Sequence, residues 1–170
     1  MQLACFRSFF FPALLASVLV LCAAFYLEYG LGQVACQLCQ GQRILLGAFA
    51  LVCVSALIHG SARTRFHIWA CLSLAFAGAT LAARHVWLQG AVASGVSCAH
   101  ANPAVAGQAS AGDWLHGMLS GWAECAPITW SFLDMSAPEW SLLTFFGLGV
   151  LVLSRLIARH RLNPDDSARS

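Results

Sequence analysis

The sequence predicts an all-α integral membrane protein: a four-transmembrane-helix bundle with two extracytoplasmic loops and a short interfacial helix in the second. Three observations carry this prediction. Hydrophobic residues fill 59% of the 170 positions and Asp, Glu, Lys and Arg only 9%, whereas soluble domains run near ~25% charged. Four long windows carry no charge. Of the nine basic residues, all arginine, seven gather on one side of those windows. With a mean hydropathy of +0.73, the chain has too little polar surface to cover a water-soluble globule, which excludes a cytosolic enzyme. A net charge of +2 leaves no electrostatic footprint for nucleic acid. The whole chain, 1–170, reads as one membrane domain.

A membrane-crossing helix needs about 20 mostly apolar residues, spanning about 30 Å at ~1.5 Å each. The first span, about 9–28, grows from the uncharged run Phe9 to Leu27. That run is too long for the apolar core of a cleaved signal peptide, and no clean small-x-small site follows it. The second, about 42–59, holds the uncharged stretch Ile44 to Ile58, with Gly41 to Arg43 and His59 as its ends. The third, about 67–88, extends the stretch Ile68 to Ala83. The fourth, about 141–159, runs from Leu142 through Ser154 to Arg155, whose side chain can reach back to headgroups. None alternates polar and apolar residues like a barrel strand, so each reads as a helix.

Basic residues stay on the cytoplasmic side of short loops. Arg7 precedes span one, Arg63 and Arg65 separate spans two and three, and Arg155, Arg159, Arg161 and Arg169 sit at or beyond the end of span four. The opposite side holds only Arg43 and Arg84, close to span ends. Its loops, about 29–41 and 89–140, therefore face outward, and both termini are cytoplasmic. This sidedness divides the eight cysteines. Cys22, Cys53 and Cys71 fall within spans and Cys5 at the cytoplasmic edge, where a cysteine is ordinarily a small apolar packing residue. Cys36 and Cys39 lie in the first outer loop, Cys98 and Cys125 in the second, and these four share an oxidising compartment.

Cys36-Gln37-Leu38-Cys39 is a C-x-x-C at the mouth of span two. Two thiols at that spacing can close a disulfide ring or supply half a zinc site. Zinc would need two more ligands from Cys98, Cys125 or His100, and an outward loop is a poor place to keep thiolates reduced, so no metal is expected and a redox pair is preferred to an inert cross-link. Span two's N-terminus, the positive end of its dipole, lies just beyond Cys39, and Arg43 follows one turn later; both favour a thiolate at Cys39.

Here the sequence resembles the DsbB family of membrane disulfide-generating proteins over nearly its whole length. The residues carrying the resemblance are Cys36 to Cys39 with Arg43, Arg84-His85 through Leu88-Gln89 at the end of span three, and the outer pair Cys98 and Cys125. The segment from Cys125 through Trp130, Phe132, Leu133, Pro138, Glu139 and Trp140 is also similar to the family's. The resemblance implies a thiol oxidase of the bacterial inner membrane. It would reoxidise a periplasmic DsbA-like partner of thioredoxin fold and pass two electrons to a membrane quinone, ubiquinone or menaquinone. On this reading Cys98 forms the mixed disulfide with the partner and Cys125 resolves it; electrons pass to Cys36 and Cys39, and Cys39 meets the quinone. Arg43 stabilises that contact, and His85 matches a position near the quinone head. Ala35 and Gln37 beside the C-x-x-C, and Gln42 where an acidic residue commonly precedes the arginine, depart from the family's pattern and bear on redox potential, where about 30 mV is worth about 1.4 kcal/mol.

The second loop must bring the two cysteine pairs together. Ser94 to Gly112 is rich in Ala, Gly, Ser and Asn, a flexible composition. Trp114, Met118 and Trp122 then recur every four residues beside Leu115 and Leu119, which predicts a short interfacial helix. Three rival readings stand beside the oxidase. One is the vitamin K epoxide reductase-like family, which places its C-x-x-C late in the chain. The others are a haem-binding bundle using His59 and His67, and a non-catalytic scaffold with disulfide-stapled loops.

Overall fold

The computed structural model describes residues 2–32, 36–59, 64–93, 112 and 131–162. Four long helices make the bundle: α1 Gln2–Phe25, α2 Gln37–His59, α3 Thr64–Ala93 and α4 Ala137–Leu162. Within them Phe10–Gly30, Leu38–His59, Thr64–Gly90 and Ala137–Ala158 are long and apolar enough to cross a membrane. The large apolar side chains that the fold leaves exposed, among them Leu19, Leu51, Phe76 and Phe146, stand where lipid replaces water as solvent.

The helices outrun the apolar windows that predict them. Intrahelical bonding costs nothing extra outside the hydrocarbon layer, so a helix continues until a breaker or a cap stops it. At its outer end α1 loosens into a π-helical turn, Tyr26–Gly30, and Gly32, with φ of +68°, takes the left-handed conformation that ends it. The start of α4 is built by a two-residue hairpin. Strands β1 Ser131–Phe132 and β2 Met135–Ser136 pair antiparallel, and Leu133 and Asp134 both take positive φ at the turn. Ser136 then caps α4. Its backbone N–H donates to Glu139 Oε2 at 2.5 Å, the reach-back bond of a capping box. The hydroxyl faces that same oxygen at 2.9 Å and the Gln89 side-chain oxygen at 3.1 Å, which ties the head of α4 to the end of α3.

Buried residues follow the interhelical seam. Leu46, Phe49, Cys53 and Ala56 line one stripe of α2, Ile68, Cys71, Ala75 and Ala82 one stripe of α3, and Phe145, Leu148 and Val152 one stripe of α4. Spacings of three and four residues keep each stripe on one face. Many of these residues are small, which lets backbones approach closely where no hydrophobic drive exists between helices in lipid. Gly78 is the extreme case: a Cβ there would stand 2.2 Å from Phe145 Cε1 of α4. Cys53 and Cys71 face each other across the seam with their sulfurs 4.0 Å apart, both fully buried, in keeping with a packing role. Each helix packs closely on its neighbour in sequence, while α1 and α4 touch only lightly.

Candidate redox site

Cys36 and Cys39 meet at the outer end of α2. The sequence reading starts the span beyond Cys39; in the structure the helix begins at Gln37, because the Gln40 N–H already donates to the Cys36 carbonyl at 3.0 Å. Cys36 is therefore the N-cap residue and Cys39 lies inside the first turn. The Cys39 backbone N–H donates to Cys36 Sγ at 3.3 Å, as it would to a capping oxygen. This bond favours charge on Cys36, whereas the sequence reading favoured it on Cys39. The two sulfurs lie 3.0 Å apart, within reach of a thiol–thiolate hydrogen bond. That bond, opposed by burial and supported by His85, lowers the Cys36 thiol to about 4.

His85 extends the buried stripe of α3 by one more turn, three residues beyond Ala82, and is itself buried. Its imidazole lies against both sulfurs, Nε2 3.6 Å from Cys36 Sγ and Nδ1 3.9 Å from Cys39 Sγ. These three side chains offer ligand atoms all within 4.8 Å of one another, a donor set that also suits a thiophilic ion when both thiols are reduced.

Arg43, one turn past Cys39, turns toward α1. Its Nη1 donates to Glu28 Oε2 in an ion pair, its Nη2 donates to the Ala24 carbonyl at 2.9 Å, and its guanidinium stands 5.2 Å from the Phe25 ring centroid. Beside it opens a cavity of about 320 Å³, at the lower end of small-molecule sites, walled by α1, α2 and α4. Cys39, Gln42 and Arg43 line it from α2, Ala24 from α1, Leu27 from the π-helical turn that follows, and Trp140 from α4. His85 is not among its walls. Its contacts run to the two sulfurs.

Cys98, Cys125 and the interfacial helix around Trp114 to Trp122 lie outside the described residues. Two participants escaped the sequence reading. Glu28 is the only acidic residue before position 113, and an acidic group at the edge of a span calls for a partner. Gln42 registered only as a departure from a pattern. The haem alternative loses its geometry: the rings of His59 and His67 stack at 6.5 Å and 28°, and their nitrogens face Ser55, His59 Nδ1 2.9 Å from the Ser55 carbonyl and His67 Nε2 3.2 Å from its hydroxyl. Axial ligands would instead point nitrogens at a common iron.

A sequence model of the family described as "Disulfide bond formation protein DsbB" matches residues 6–154. Relatives agree over most of both chains. "Disulfide bond formation protein B 2" of Pseudomonas entomophila (strain L48) is 49% identical over 160 residues, covering 93% of this chain and 95% of the relative. "Disulfide bond formation protein B" of Stutzerimonas stutzeri (strain A1501) is 39% identical, covering 94% and 99%, and that of Methylococcus capsulatus (strain ATCC 33009 / NCIMB 11132 / Bath) is 37% identical, covering 86% and 92%. The role that goes with these names is disulfide formation by an oxidoreductase, here in a multi-pass membrane protein. Four apolar helices, a sulfur pair on the cap of the second, and these matches together make the chain a member of the DsbB family of disulfide bond formation proteins.

Proposed function

We propose that the protein is a thiol oxidase of the bacterial inner membrane, with both termini cytoplasmic and both outer loops periplasmic. It takes two electrons from a soluble DsbA-like dithiol protein and delivers them to a membrane quinone. The observation that carries this reading is the juxtaposition of Cys39 with the cavity between α1, α2 and α4. One sulfur of the pair borders an apolar chamber that lies between membrane helices, while the other caps the helix end.

The residues present suit a quinone head. The chamber walls are mostly apolar, Trp140 among them, and the polar residues Gln42 and Arg43 line it from α2. When bound, a quinone accepts two electrons and two protons and leaves as hydroquinone. The protein's part is thiol exchange. One thiolate of the reduced partner attacks the Cys98–Cys125 disulfide, forming the mixed disulfide at Cys98 and releasing the Cys125 thiolate; the partner's second thiol then displaces Cys98 and the partner leaves oxidised. The Cys98–Cys125 dithiol returns to the disulfide by exchange with the Cys36–Cys39 disulfide, which becomes the dithiol. His85, against both sulfurs, holds or moves a proton as that dithiol is formed and consumed. Arg43, anchored on Glu28, keeps positive charge one turn from Cys39.

Purified protein mixed with a reduced thioredoxin-like dithiol protein and a soluble quinone should consume quinone absorbance, and Cys39→Ser and Cys98→Ser should each abolish that loss. Absence of turnover with any periplasmic dithiol protein would refute the reading.

A further inference from the structure

Resting on the quinone reading above, we propose that the Gln42 side-chain amide is the hydrogen-bond donor that holds a quinone carbonyl in the cavity beside Cys39. Gln42 is 4% exposed, and its Nε2 is the one buried side-chain polar atom among the described residues that has no hydrogen-bond partner. Buried amides are almost always paired, because a donor removed from water without a partner is destabilising. A donor left bare in the wall of a chamber is a group waiting for an acceptor carried by a ligand.

The surroundings name that acceptor. Gln42 lies three residues past Cys39 and therefore on the same face of α2, and both line the cavity. The other strong donor on this wall, Arg43, is committed to α1 through Nη1 to Glu28 and Nη2 to the Ala24 carbonyl. The Thr144 hydroxyl donates to the Trp140 carbonyl at 2.8 Å within α4. An aromatic ring lying among Leu27, Leu46, Trp140 and Phe145 would receive dispersion contact from these walls. Its carbonyl would meet the Gln42 N–H while a ring carbon approaches the Cys39 sulfur. A neutral amide N–H suits a carbonyl oxygen on which negative charge grows as electrons arrive. It also rejects an apolar ring of the same shape, because the donor would then stay unpaired. Gln42 is thus a specificity-determining residue for ligands that carry a ring carbonyl.

Gln42→Met is nearly isosteric and removes the donor. In the full-length protein in detergent micelles, we expect two changes of opposite sign. Thermal stability without quinone stays level or rises, since a bare buried amide is gone. The KM for a short-chain benzoquinone rises about tenfold, equivalent to about 1.4 kcal/mol, the upward shift in melting temperature that the quinone produces in the wild type shrinks accordingly, and the KM for the dithiol protein is unchanged. Gln42→Leu serves as the second variant should the methionine protein fold poorly. A fall in ligand-free stability together with an unchanged quinone KM would mean that Gln42 is a structural residue and would overturn the assignment alone. A wild-type protein that neither reduces nor is stabilised by benzoquinone would overturn the quinone reading, and this assignment with it.

Discussion

Glu28 and Arg43 close an ion pair between the π-helical end of α1 and the second turn of α2, fifteen residues apart in sequence. The pair is only partly exposed, at 17% for the Arg43 side chain and 26% for Glu28. It fixes the guanidinium at one edge of the cavity that Cys39 borders, so the stability of α1 against α2 and the placement of positive charge near the sulfurs depend on the same contact.

Glu28→Gln should therefore lower stability by about 1 kcal/mol, between the values typical of exposed and of buried pairs. Arg43→Lys should do likewise, because an ammonium cannot bridge Glu28 and the Ala24 carbonyl as a fork does. Thermal unfolding in detergent measures both, and an unchanged melting temperature in both variants would show that the ion pair contributes nothing to the fold.

The Cys36 thiol, lowered to about 4, sets a pH profile. A depressed value means that the thiolate is present above about 4 and is lost as pH falls through it. Alkylation of Cys36 in the reduced protein, followed by peptide mapping, should then stay level through neutral and mildly acid pH and decline only near that value. A thiol at the ordinary value of about 8.5 would already decline below that pH. His85→Ala removes a hydrogen bond and a charge that support the thiolate, so it should move the decline to higher pH.

Gly78→Ala places a methyl group where the Phe145 ring already is. Overpacking of this kind typically costs about 1–3 kcal/mol, and here it should loosen α3 from α4. Gly47→Ala, with nothing within 4 Å of the new Cβ, is the matched control and should be neutral or stabilising by about 0.5–1 kcal/mol. Equal melting temperatures for the two variants would contradict the close approach.

Ser136→Ala deletes the hydroxyl that faces Glu139 and Gln89. The Glu139 reach-back to the Ser136 N–H is kept, so only the side-chain tie between the head of α4 and the end of α3 is lost; thermal unfolding in detergent should show a loss of about 0.5–1.5 kcal/mol.

Cys53→Ala and Cys71→Ala test the packing role of the seam cysteines. Each should keep thiol-oxidising turnover, with a stability loss of about 1 kcal/mol from the vacated volume. Loss of turnover in both would give these buried sulfurs a part in the chemistry.

Much of this protein is legible in one dimension. Uncharged windows of spanning length determine that lipid is the solvent and that four helices cross it, because unpaired backbone groups are intolerable there. Three-and-four spacing marks the buried stripes, and His85 falls on the continuation of one of them. The C-x-x-C announces its own chemistry, since its partners are three residues apart. The remainder joins residues that no local pattern connects. His85 reaches the two sulfurs across 49 and 46 positions, and Glu28 reaches Arg43 from another helix. The bare amide of Gln42 acquires meaning only beside a chamber that three helices enclose. Even the choice of Cys36 over Cys39 as the site of charge turned on where the first helical hydrogen bond forms, a matter of backbone geometry that an apolar window does not measure. Sequence determined the solvent, the helices and the cysteine pair at the outer end of the second helix. Tertiary structure decided their partners, because hydrogen bonds and ion pairs act over about 3–4 Å in space whatever the separation along the chain.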